Sequence, residues 1–132
     1  MKQKQYSYLE FGEGQVFLES EESINKVIDC LDLSEDDVIL EIGPGQGALT
    51  SSFHNKVHHS HLVEFDLSLV KYLTKQNFKN VTIYHKDFLK WEVPYFSNKI
   101  KVISALPYHL TFDILHKLYP IEGISKMVLI MM

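Results

Sequence analysis

The run Leu40–Thr50 reads LEIGPGQGALT and puts glycine at every second position, Gly43, Gly45 and Gly47, directly after a short apolar stretch. Glycines there let a backbone turn tightly off a strand and approach a ligand closely. The spacing is G-x-G-x-G rather than the dinucleotide G-x-G-x-x-G, and no Lys-Ser/Thr pair follows as in a phosphate-binding P-loop. Alone, such a run is also the mark of an ordinary strand–helix turn. Two further stretches change its weight. VEFD sets Glu64 21 positions after Gly43, the placement of a carboxylate that accepts both hydroxyls of a ribose. KDFL sets Asp87 and Phe88 at the following strand end. Asp87 can accept from an exocyclic amine, and Phe88 can cover an adenine face. The plainer roles are helix capping for Asp66, Glu64 and Asp87, and core packing for Phe88. In chain order the three stretches describe an adenosine-bearing cofactor lying across the switch point of a Rossmann-like sheet.

The fourth stretch is VISALPYHLTFDI, Val102 to Ile114. A β-type run ends in Ala105-Leu106-Pro107-Tyr108, a proline-stiffened tip that carries an aromatic ring. Open α/β sheets keep their sites at such strand ends. Tyr108 offers a face on which a planar base can stack. Ala105, at the tip itself, has no polar side-chain atom. Ser104 is next to it, but neighbouring strand residues point to opposite faces, so Ser104 is a poor substitute.

These tips need a scaffold, and the pattern around them supplies one. SEESINKVIDCLDL reads as a helix capped by Ser20 or Ser23, with Ile24, Val27, Ile28 and Leu31 on one stripe. Strands are expected at VILEIG, SHLVEFD, VTIYHKD, KIKVISA and KMVLIMM, and helices at ALTSSF, Leu67–Gln76 and LTFDILHKLY. Strands alternating with helices imply βαβ units and a parallel sheet, and the near-continuous apolar strands imply cover on both faces. The expected fold class is α/β, a Rossmann-like, mostly parallel sheet with flanking helices. The first segment, to Glu19, reads as irregular.

The 132 residues suffice for one domain with one core. All 13 cationic residues are Lys and the net charge is -4, so no global basic field points to nucleic acid, and any phosphate contact lacks the bidentate guanidinium fork. The lone Cys30 excludes an intrachain disulfide and fits a reducing compartment. No run reaches the ~18 apolar residues of a membrane span, and the charged N-terminus has no signal-peptide core. The expected location is the cytoplasm. His54, His58, His59 and His61 cluster in HNKVHHSH; metal-site spacing is possible on a loop, but no carboxylate or Cys supports it. Trp91, Tyr95 and Phe96 read as loop packing against the sheet, with a base-stacking platform as the sharper alternative.

GQVFLES, LEIGPGQGALT, VEFD, KDFL and ALPYHLT occur in the order and spacing of the ribosomal-RNA adenine N6-dimethyltransferase family, the KsgA-type enzymes and their Erm relatives. The resemblance runs from about Gly14 to Met132. It implies an S-adenosylmethionine-dependent methyltransferase fold, with cofactor contacts at Gln15, Val16, Leu18, Gly43, Gly45, Glu64, Asp87, Phe88 and Ala105. It implies a catalytic tip at Ala105, Leu106, Pro107 and Tyr108, and adenines of small-subunit ribosomal RNA as substrate, with no metal and no membrane. There a side-chain carbonyl and the Pro carbonyl accept the two protons of the adenine amine, whose lone pair is otherwise delocalised into the ring, while Tyr108 stacks on the flipped base.

Two departures stand out. The family's Asn in G-Q-N-F-L is Val16 here, and its Asn in N-L-P-Y is Ala105. A methyl cannot accept a hydrogen bond, so turnover is expected to suffer more than binding. The alternative reading is a non-catalytic homologue that holds cofactor or nucleic acid without transferring methyl. The family adds two more strands and a small helical RNA-binding domain, whereas this sequence ends at VLIMM. The expectation is therefore a single partial cofactor-binding domain over 1–132, lacking the last strands and the C-terminal domain, and monomeric once completed. Its fifth strand is expected to be an unprotected edge prone to self-association.

Overall fold

In the computed structural model, residues 5–10, 20–96 and 99–131 are described. Six strands make one parallel sheet in the order β1-β6-β5-β2-β3-β4. They are β1 (Gln5–Glu10), β2 (Val38–Ile42), β3 (His59–Glu64), β4 (Val81–His85), β5 (Ile100–Leu106) and β6 (Ile124–Met131). Between them run α1 (Glu21–Leu31), α2 (Ala48–Phe53), α3 (Leu67–Thr74) and α4 (Thr111–Leu118). The strand order reverses between β5 and β2, so β2 is the switch point and its C-terminal end opens a crevice.

The five expected strands and the expected parallel pairing are present. Strand β2 shows why: all five of its residues are buried, and alternate side chains serve opposite faces. Ile39 joins Val27 and Leu31 of α1, Leu49 and Phe53 of α2, and Ile103, Ala105 and Ile130. Val38, Leu40 and Ile42 join Val102, Met127, and Ile114 and Leu118 of α4. Helix α1 starts where the Ser20 hydroxyl accepts from Ser23 N at 3.2 Å, and ends at Asp32, in the left-handed region with φ 47°.

Some of these expectations need correction. The first segment is not irregular throughout, because Gln5–Glu10 forms β1. It pairs with β6 from Gln5↔Lys126 to Glu10↔Met131, so the β6 edge is covered. The reason is non-local: QYSYLE has no strong apolar alternation, and its order comes from β6's free backbone groups. The helix expected to reach Gln76 ends at Thr74. The one expected over LTFDILHKLY is present as α4, with a 3-10 turn, Tyr108–Leu110, leading into it. His61 lies in the expected strand β3, which also takes in His59.

The histidine and aromatic stretches pack together. His61 Nδ1 lies 2.9 Å from Tyr84 Oη, and its ring is 4.9 Å from that of Phe96. Trp91 stacks at a tilt on Tyr84 at 4.9 Å. Packing is thus the role of Trp91 and Phe96, while Tyr95 stands out in solvent. Among the described residues no group of His, Cys, Asp or Glu could hold a metal ion, and no helix is long and apolar enough to cross a membrane.

Candidate cofactor cleft and catalytic tip

The glycine turn begins at Gly43, whose N–H donates to Val63 O at 3.0 Å and ties the end of β2 to β3. Its φ is +73°, open to glycine but strained for other residues. A Cβ there would stand 2.4 Å from the Leu106 side chain and 3.3 Å from the Ala105 carbonyl oxygen. Glycine is what lets the β5 tip close down on the β2 turn.

Glu64 ends β3 and is 7% exposed. One carboxylate oxygen accepts from Gly45 N at 3.1 Å and the other from Asp66 N at 2.9 Å. The side chain is therefore pinned between the turn and the start of α3, and each oxygen keeps a lone pair for a ligand hydroxyl. The capping role falls to Asp66, which accepts from Ser68 N at 2.8 Å; the bond from the Ser68 hydroxyl first, and this backbone bond second, hold its carboxyl below the usual range.

Gly43, Glu64, Asp87, Phe88 and Leu106, all singled out from sequence, line one cleft of about 330 Å³. Asp87 is half-buried, and one of its oxygens accepts from Leu89 N at 3.1 Å, leaving the other for a ligand amine. Phe88 lines the cleft wall; it is 5% exposed and belongs to the core under α4. The exposed ring at the cleft is Phe65, 71% exposed. His85 Nε2 lies 3.0 Å from the Phe65 carbonyl. The sequence signal for Phe65 is its place in VEFD, directly after the strand-end acid.

The tip holds Pro107 at φ -52°. Its carbonyl already accepts from Leu110 N at 2.9 Å, which leaves one lone pair. Tyr108 is 57% exposed. Ala105 is buried on the face that α1 and α2 cover, and strand alternation puts Ser104 on the other face. Gln15, Val16 and Leu18 lie outside the described residues.

Besides Phe65, sequence reasoning missed two residues. Glu41 is wholly buried in β2. Its Oε1 accepts from Thr50 Oγ1 at 2.5 Å, while Oε2 has no partner. Burial, opposed by the Thr50 bond and reinforced by the charge of Glu64, pushes its carboxyl up to about 7. A Glu inside the apolar run VILEI was the available signal. Lys117 of α4 donates from Nζ to the carbonyls of Phe88 and Trp91 and lies 4.7 Å from the Phe88 ring centre. Burial pulls its ammonium below the usual value, against the charge of Asp87. No local pattern marked it.

The family model described as Ribosomal RNA adenine dimethylase matches residues 8–132. This chain belongs to that family. The Ribosomal RNA small subunit methyltransferase A of Mycoplasma mobile is 41% identical over 107 residues, covering 80% of this chain and 41% of the relative. That of Malacoplasma penetrans is 38% identical over 118 residues, covering 88% of this chain and 43% of the relative. The chain thus spans about two-fifths of these relatives. Among solved structures, the 23S rRNA methyltransferase ErmE superposes with a TM-score of 0.71 at 26% identity, over 83% of this chain and 46% of that one. The fold class expected from sequence is the one these neighbours share.

Proposed function

We propose that this chain is the S-adenosylmethionine-binding core of an adenine N6-dimethyltransferase acting on small-subunit ribosomal RNA, monomeric, cytoplasmic, and impaired in turnover by Ala105. The observation that carries the reading is the convergence of Gly43, Glu64, Asp87 and Leu106 on one cleft, with Glu64 bonded to the turn at Gly45. The names of the relatives supply the substrate.

S-adenosylmethionine would supply an electrophilic methyl group. Glu64 accepts from the ribose hydroxyls with the lone pairs its backbone bonds leave free. Asp87 accepts from the adenine amine, and Phe65 covers the ring from the solvent side. At the tip, Tyr108 receives a flipped base, and the remaining lone pair of the Pro107 carbonyl accepts one amine proton. The second amine proton has no acceptor on Ala105, so the lone pair stays more delocalised than it would beside an Asn.

Calorimetric titration with S-adenosylmethionine and S-adenosylhomocysteine tests this. Glu64→Ala is expected to weaken both by about 1–3 kcal/mol, the range for losing a charge-assisted acceptor. Unchanged affinity would sink the ribose role. Methyl transfer to small-subunit RNA, assayed alongside, separates slow catalysis from cofactor binding alone.

A further inference from the structure

We propose that His85 is a positioning residue for the adenosine end of the cleft: it grips the peptide that carries Phe65 and so holds that ring over the bound base. This deepens the proposed function and rests on it. The ends of β3 and β4 are paired, Glu64 with His85. Lys86 N then donates to Glu64 O at 3.1 Å. At the next residue of the β3 segment the link between the two chains is made by a side chain, with His85 Nε2 3.0 Å from Phe65 O. A carbonyl oxygen only accepts, so Nε2 carries the proton and the bond sets the tautomer. The tie falls between the two acceptors of the site: Glu64 directly precedes Phe65, and Asp87 follows His85 by two positions.

Phe65 needs such a tie because it is 71% exposed. Little packing holds the ring, so it stands where its backbone puts it. The peptide unit joining Phe65 to Asp66 is held at both ends. Its N–H donates to the Glu64 carboxylate at 2.9 Å, and its C=O accepts from His85. Without His85 the carbonyl end is free to turn, and the ring must be ordered again each time a ligand binds, which costs affinity. Glu64 keeps its second anchor at Gly45 N, so the loss falls on Phe65. Phe65, Lys86 and Asp87 line the cleft and His85 does not, so His85 acts through the peptide rather than on the cofactor.

Calorimetric titration of the chain with S-adenosylhomocysteine tests this. His85 is exposed, so replacing its ring leaves the core intact. His85→Leu is expected to weaken binding by about 2- to 12-fold, the worth of one neutral hydrogen bond. His85→Gln keeps an N–H donor at similar reach and should restore it. In a Phe65→Ala background His85→Leu should cost less than about twofold, because the ring it positions is gone. Native affinity in His85→Leu overturns the proposal, and so does a Gln variant that binds as poorly as the Leu one. Equal cost in both backgrounds would make His85 a general brace of the sheet end, and also overturns it. If Phe65→Ala binds as the native chain does while Glu64→Ala binds poorly, this inference fails and the ribose reading stands. A native chain that does not bind S-adenosylhomocysteine overturns both.

Discussion

Thr50 Oγ1 donates to Glu41 Oε1 at 2.5 Å within the sheet face that α1 and α2 cover. The second carboxylate oxygen, Oε2, is buried without a hydrogen-bond partner. Glu41 is held up to about 7 from 4.5, so between those values the folded chain keeps a proton that the unfolded chain releases. Stability from this group must fall as pH rises through that window, by about 3 kcal/mol in all. Thr50→Val should push the carboxyl higher still.

His61 works in the opposite direction. Burial first, then His59, pull it down to about 4 from 6.5. Between those values the unfolded chain takes up a proton that the folded chain refuses, so stability is lost as pH falls. The two slopes oppose each other from about pH 4.5 to 6.5. Urea melts across that range should show a shallow dependence for the native chain. Glu41→Gln should unmask stability rising with pH, and His61→Gln stability falling with it. Parallel curves for all three proteins would contradict this assignment.

Gly43→Ala tests the closeness of tip and turn. The added methyl meets the Leu106 side chain at 2.4 Å, and the φ of +73° adds strain of about 1–3 kcal/mol for a non-glycine residue. Cofactor affinity should drop at least tenfold, with a lower melting temperature. A companion Leu106→Ala should recover part of the loss, because it removes the clashing atoms but not the strain. No recovery would mean that Leu106 is not what the methyl meets.

Lys117 ties α4 to the segment after β4, and so joins the helix behind the tip to the strand end bearing Asp87. Lys117→Met keeps the apolar stem and removes the donor. The Phe88 and Trp91 carbonyls then lose a charged partner, worth about 1–3 kcal/mol of stability. Cofactor binding should weaken too, and differential scanning calorimetry with and without S-adenosylhomocysteine reads both. A fall in stability with ligand affinity intact would limit Lys117 to packing.

The sequence was most legible where the physics is local. Strand β2 announced itself because both of its faces are apolar, and Gly43, Gly45 and Glu64 because a turn and a strand-end acid occupy fixed places in a βαβ unit. What escaped depends on distant partners. Strand β1 has meaning only beside β6, more than a hundred residues away. Lys117 is an ordinary helix cation until two carbonyls from another segment face it. Phe65 and Phe88 are each a Phe beside a strand-end acid, and nothing in the sequence says which is buried. The packing of α4 decides it, closing over Phe88 and leaving Phe65 outside.

Ala105→Asn addresses the tip directly. Ala105 is 6% exposed and shares a sheet face with Ile103 and Ile130, so an amide there must find partners or destabilise the chain by about 1–3 kcal/mol. A bound adenine amine would be one such partner. The Pro107 carbonyl, shared with Leu110 N, can accept only one amine proton. The Asn carbonyl would accept the second and return the nitrogen lone pair to a reactive geometry. That contact strengthens as the nitrogen becomes tetrahedral, so it acts on turnover more than on binding. The expected outcome is a rise of ~100-fold or more in methyl transfer to small-subunit RNA, in line with single polar contacts made in a transition state, with cofactor affinity nearly unchanged and a slightly lower melting temperature. Equal rates for the Ala105 and Asn forms would place the acceptor elsewhere, with Ser104 or a bound water the first groups to examine.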